Sequence, residues 1–138
     1  SLAGHLKLGR LIVLYDDNNI TIDGDTSISF TEDVKMRYES YGWQVLEVAD
    51  GNTTDVSEIV KAVEEAKACT DKPTLIRIKT VIGFGAAKAG TAGVHGAPLG
   101  WDDIKSVRKA FGMDPEESFK IDDSVSEYFA SLKAANDK

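Results

Sequence analysis

The sequence predicts an α/β protein built on a parallel β-sheet with flanking helices. Three observations carry that prediction. Apolar runs rich in branched residues recur at 11–14, 43–48 and 74–80, with the length and composition of strands. Helical patterns lie between them, and strand, helix, strand, helix, strand is the signature of a parallel sheet with right-handed crossovers. The first run ends in Asp16-Asp17-Asn18-Asn19, which places oxygen ligands at the carboxyl edge of the sheet, where open α/β sheets bind their ligands.

The elements follow in order. Residues 1–7 read as the end of a helix, with Leu2, Leu6 and His5 on one side and Gly9 as its stop. A start in mid-helix is expected of a fragment of something longer. The run 11–14 is expected to be a buried strand. Ile20 to Asp25 alternates and then turns at Asp23-Gly24, as a short β excursion does. Thr31 before Glu32 and Asp33 predicts a capped helix start. Val34, Tyr38 and Tyr41 recur at helical spacing, and Gly42 ends that helix. After the strand 43–48, Thr54 or Asp55 caps a helix over 56–68 with Ile59, Val60, Val63 and Ala66 as its buried stripe. Asp71-Lys72-Pro73 breaks it before the strand 74–80.

The next twenty residues change character. Gly83, Gly85, Gly90, Gly93 and Gly96 punctuate an alanine-rich segment around His95, and such a loop after a strand is either disordered or functional. Trp101-Asp102-Asp103-Ile104 starts a helix to Phe111, stopped by Gly112. A final amphipathic helix over 124–135 is expected to turn Val125, Tyr128, Phe129 and Leu132 inward.

At 138 residues the chain is long enough for one domain with its own core. A formal charge of −7 argues against nucleic acid or an anionic membrane as the main partner. Cys69 is the only cysteine, so no internal disulfide forms and a reducing compartment fits. No apolar run approaches the length of a membrane span, and no signal-peptide pattern opens the chain.

The Asp16-Asp17-Asn18-Asn19 cluster has two readings. One is a strand-end cap, where Asp and Asn bond the loop backbone. The other is a Mg²⁺ or Ca²⁺ site, because hard cations take carboxylate, amide and carbonyl oxygens. No register fits an EF-hand, which needs Gly at loop position six and Glu at twelve. His95, flanked by Gly93 and Gly96, is able to approach a phosphate as a hydrogen-bond donor. His5 reads as structural and Cys69 as inert. Asp102-Asp103 and Glu116-Glu117 read as partners of helix N-termini. Gly83-Phe84-Gly85 lacks the full dinucleotide fingerprint. These features alone also allow a stand-alone α/β metal- or phosphate-binding or interaction module without catalysis.

Longer segments add a resemblance. Residues 1–9 (Ser-Leu-Ala-Gly-His-Leu-Lys-Leu-Gly), 15–24 (Tyr-Asp-Asp-Asn-Asn-Ile-Thr-Ile-Asp-Gly), Ile82-Gly83-Phe84-Gly85 and Val94-His95-Gly96-Ala97-Pro98-Leu99 occur together with Tyr41-Gly42-Trp43 and Lys72-Pro73-Thr74-Leu75-Ile76. In this order, across nearly the whole chain, they strongly resemble transketolase. The resemblance implies a partial thiamine-diphosphate-binding fold. Residues 1–121 would be part of the diphosphate-binding (PP) domain, and 122–138 a C-terminal helix leading to an interdomain linker. It implies Asn18 as a side-chain ligand and Ile20 as a carbonyl ligand of a divalent cation, Mg²⁺ or Ca²⁺. Ile22 and Ile82 would pack on thiamine diphosphate. His95 would contact the diphosphate and face the substrate channel, as both cofactor-binding and catalytic residue. The aspartate completing the cation site belongs to a Gly-Asp-Gly segment expected before Ser1. The implied reaction moves a two-carbon ketol unit from a ketose phosphate to an aldose phosphate, as in the pentose phosphate pathway and Calvin cycle. The implied setting is a cytoplasmic or plastid-stroma homodimer that includes the remaining domains of the enzyme, and the chain alone is expected to be inactive. The family resemblance implies no nucleic acid or membrane partner.

Overall fold

The computed structural model describes residues 1–53 and 55–136. The chain forms two compact units, Ser1–Leu99 and Gly100–Lys138. The first holds a short helix α1 (Leu2–His5), the strands β1 (Ile12–Asp17), β4 (Gln44–Val48) and β5 (Thr74–Lys79), and the helices α2 (Val34–Ser40) and α3 (Ser57–Ala68). A small hairpin, β2 (Ile20–Thr21) with β3 (Gly24–Asp25), leaves the end of β1 and pairs antiparallel.

The main sheet is parallel, in the order β1-β5-β4, so the last strand in sequence is the middle one. This bears out the α/β prediction. It also explains where the core lies. Thr74, Leu75, Ile76 and Ile78 of β5 are buried, because a central parallel strand is flanked on both edges. Helix α3 covers one face. Its Ala62 and Ala66 pack with Val48, Ile76 and Ile78, and Ile12, Leu46, Ile59 and Val63 close the margin. On α2, Tyr38 meets the buried Trp43 edge-on, with ring centroids 5.1 Å apart.

Several expectations are corrected. The strand 11–14 is not fully buried: Leu14 is 51% exposed, because among the described residues β1 has β5 as its one neighbouring strand. The strand also runs three residues further, so Tyr15, Asp16 and Asp17 belong to it. Asp33, not Thr31, caps α2, its Oδ1 accepting from Met36 N at 2.9 Å. Glu32 instead pairs with Arg37. Val60 is exposed on α3, and Ala62 takes its place in the buried stripe. Thr54 lies outside the described residues. Asp55 bonds Ser57 N at 2.9 Å just ahead of α3. Gly9 does not stop α1: Lys7 adopts the left-handed conformation, with φ 52°. A Cβ on Gly9 would run into the carbonyl of Thr70, so glycine is required there for close approach of two backbones.

The second unit holds α4 (Trp101–Ala110) and α5 (Asp123–Asn136). Asp102 and Asp103 stand in the first turn of α4, and Arg108 and Lys109 in its last, each complementing the helix dipole. Gly112, with φ 71°, ends the helix as expected. Glu116 and Glu117 are not at a helix start; they pair with Lys105 and Lys120. Val125, Tyr128, Phe129 and Leu132 are all exposed, not inward, because two helices alone leave little surface to cover them. Among the described residues, no helix is long and apolar enough to cross a membrane.

Candidate functional site

Parallel pairing gathers the carboxyl ends of all three strands at one edge, and hydrogen bonds tie the loops together there. Thr80 N donates to the Asp17 carbonyl at 3.3 Å, and Gly51 N to the Lys79 carbonyl at 2.8 Å. Asn52 Oδ1 accepts from Val81 N at 2.6 Å. The turn after β4 is thus fastened to the first residue of the glycine-rich loop. Asp50-Gly51-Asn52 has the residue types of a turn, but nothing local marks which distant amide an Asn will bind.

The Asn18 turn sits at the end of β1. Asn18 Oδ1 accepts from Ile20 N at 3.0 Å, and its Nδ2 donates to Asp16 Oδ1 at 3.4 Å. The same Asp16 oxygen accepts from the Thr80 hydroxyl. Asn19 takes φ 61°, a conformation Asn tolerates better than most residues. Asp17 turns to the opposite side, where Arg77 Nε lies 3.0 Å and Lys79 Nζ 3.7 Å from its Oδ2. Both aspartates are therefore engaged by the protein itself. Asn18, Ile20 and the two aspartates line a cleft of about 430 Å³ with Arg77 and Lys79. Burial, and next the charge of Asp17, push the Tyr15 phenol above its ordinary value, so it is neutral here.

The ion pairs continue across the sheet. Arg77 Nη1 reaches Glu47 at 3.4 Å, and Lys35 Nζ reaches it at 2.7 Å. The Lys35 hydrogen bond holds the Glu47 carboxyl below its ordinary 4.5, aided by the Lys35 and Arg77 charges and opposed by burial. A depressed carboxyl stabilises the fold above pH 4.5, and that stabilisation is lost as pH falls through the lowered value. The pair is exposed enough for the effect to be small. Denaturant midpoints should therefore fall on acidification below pH 4.5, and less steeply in Lys35→Ala. Identical acid limbs would show that this pair contributes nothing.

The glycine-rich loop is folded on itself. Gly90 N donates to the Ile82 carbonyl at 2.9 Å. Gly83 has φ 66°, and a Cβ there would stand 2.8 Å from Val94 Cγ2. Val94 closes the 3₁₀ turn Ala92–Val94, and His95 follows it as an exposed residue. The structure thus brings Asn18 together with Ile20, and Ile82-Gly83 together with the Val94-His95 corner. Ile22 stands on the hairpin turn, 70% exposed. Ile22, Ile82 and His95 do not line the cleft beside Asn18.

The donor chemistry suits a hard cation. After accepting from Ile20 N, the Asn18 amide oxygen keeps a second lone pair. Amide and backbone carbonyl oxygens are ligands that Mg²⁺ and Ca²⁺ take. Among the described residues, no three His, Cys, Asp or Glu side chains converge on a metal position. The turn fits as part of a ligand shell and not as a whole one.

A parallel α/β sheet with amide and carbonyl oxygens at its carboxyl edge defines a ligand-binding α/β domain. Residues 1–138 match the family model described as transketolase, thiamine diphosphate binding domain; the chain belongs to that family. It is 53% identical over 138 residues to the transketolase of Scheffersomyces stipitis, covering 100% of this chain and 20% of that one. It is 56% identical over 129 residues to transketolase 1 of Saccharomyces cerevisiae, covering 94% and 19%. The crystal structure of the Pichia stipitis transketolase complex with sedoheptulose 7-phosphate superposes with a TM-score of 0.89 at 52% identity, covering 99% and 20%. The chain therefore spans about a fifth of the length of these relatives.

Proposed function

We propose that this chain is part of a transketolase that transfers a two-carbon ketol group from a ketose phosphate to an aldose phosphate. The observation that carries the reading is likeness over the whole chain at 53% identity to a transketolase. Thiamine diphosphate with a divalent cation, Mg²⁺ or Ca²⁺, would supply the nucleophilic carbon and the electron sink. The work of this chain is then to hold and orient. Asn18 gives its side-chain oxygen and Ile20 its backbone carbonyl to the cation. Ile22 and Ile82 offer apolar surface to the cofactor. The His95 imidazole, on a glycine-bounded corner, would contact the diphosphate as a hydrogen-bond donor and face the substrate channel. Residues 1–121 would form the diphosphate-binding portion and 122–138 a helix leading onward, within a homodimer working in the cytoplasm or plastid stroma.

Two donors do not complete an octahedral cation, so the 138-residue chain by itself is expected to be inactive. Calorimetry of the isolated chain with thiamine diphosphate and Mg²⁺ should show weak binding or none. The full-length protein should bind both and transfer ketol groups between sugar phosphates. Micromolar affinity in the isolated chain would overturn the claim of an incomplete ligand set, and a full-length protein without transferase activity would overturn the assignment.

A further inference from the structure

We propose that Asp16 is a positioning residue for Asn18, anchored to the central strand by Thr80. The inference rests on the reading of Asn18 as a cation ligand and deepens it. The two ends of an amide side chain are nearly the same shape, so only its hydrogen bonds decide which end faces which way. Here both ends are decided. Ile20 N–H donates to Oδ1 at 3.0 Å, and the Asp16 carboxylate accepts from Nδ2 at 3.4 Å. Turning the amide over would set donor against donor at Ile20 and oxygen against carboxylate at Asp16. The carboxylate therefore excludes the orientation in which nitrogen, which has no free lone pair for a metal, takes the place of oxygen.

Asp16 is itself located by a second strand. It pairs with Ile78 in the β1–β5 register, and its Oδ1 accepts from the hydroxyl of Thr80, two residues beyond that partner. The position of Asn18 is thus referred to β5, the buried middle strand, rather than to the free end of an edge strand. Asp17 cannot substitute, because Arg77 and Lys79 hold it. Groups that orient a metal ligand in this way typically govern affinity by roughly 10–100-fold.

The test is the apparent Mg²⁺ affinity of the full-length protein at fixed thiamine diphosphate, read by calorimetry beside a melting curve taken without cation. Asp16→Ala should weaken Mg²⁺ binding roughly tenfold or more. Thr80→Val should weaken it in the same direction, and Thr80→Ser, which keeps the hydroxyl, should restore it even if Asp16→Ala fails to fold. In an Asn18→Ala background, Thr80→Val should add little, because its effect passes through Asn18; a merely structural role would add in full. If Asn18→Ala weakens Mg²⁺ binding while Asp16→Ala and Thr80→Val leave it unchanged, the positioning role is wrong and the ligand role stands. If Asn18→Ala itself changes nothing, the ligand role falls and this inference with it.

Discussion

Replacing Asn18 by alanine in the full-length protein should sharply raise the concentrations of divalent cation and thiamine diphosphate needed for saturation. The change removes a candidate ligand oxygen outright, so the loss should be no smaller than the roughly 10–100-fold that changes around a ligand produce. Folding should suffer far less. The substitution leaves the partly buried Ile20 N–H without its 3.0 Å acceptor, worth about 1–3 kcal/mol where water cannot replace it. The contrast between a large binding effect and a modest stability effect is what separates a ligand from a strand-end cap. Cation titration and thermal melting on the same variant provide both numbers. Unchanged cation dependence would return Asn18 to the role of a cap.

The largest expected stability effect lies elsewhere, at Ile76. This side chain is 0% exposed in the middle strand and packs with Val48, Ala62, Ala66 and Ile78. Truncation to alanine should cost about 2–5 kcal/mol through lost burial and the cavity left behind. Against a typical domain stability of about 5–15 kcal/mol this is severe. The slow-exchanging amides of β5 in the full-length protein should lose protection accordingly, since exchange reports local stability even in a multidomain chain. Val60→Ala, at a 53% exposed position on the same helix that covers Ile76, should change little, within about 0.5 kcal/mol. A loss at Ile76 as small as that at Val60 would mean that α3 does not seat on β5 as described.

Much of the architecture was legible in the residues. Branched apolar runs marked the three strands of the sheet, Asp23-Gly24 marked the hairpin to within one residue of its Ile22-Asp23 turn, and Gly112 marked the end of α4. Burial was harder to read. Leu14 and Val60 look as apolar as Ile76 and Val63, and nothing local says that β1 takes the edge or that α3 rolls its Ala62 inward. The same difficulty misled the reading of α5, whose periodic Val125, Tyr128, Phe129 and Leu132 predict a covered face that the second unit does not provide. Periodicity tells which residues share a face; it does not tell what lies opposite.

The candidate site divides along the same line. Only the resemblance to transketolase implied the Asn18 side chain and the Ile20 carbonyl as ligands; the sequence by itself determined an acid and amide cluster, Asp16-Asp17-Asn18-Asn19, at a strand end and a histidine on a glycine-bounded loop. Those properties are written in residue type and spacing. Only the tertiary structure decided which of these groups are already spoken for. Asp16 is bound to Thr80 across 64 positions of sequence, Asp17 to Arg77 and Lys79, and Asn52 to Val81 across 29. Hydrogen-bond partners of polar side chains are set by parallel strand register, and register is a long-range property of the sheet. The two aspartates that drew attention as metal ligands are thus tied to Thr80, Arg77 and Lys79, and the Asn18 oxygen to the Ile20 amide.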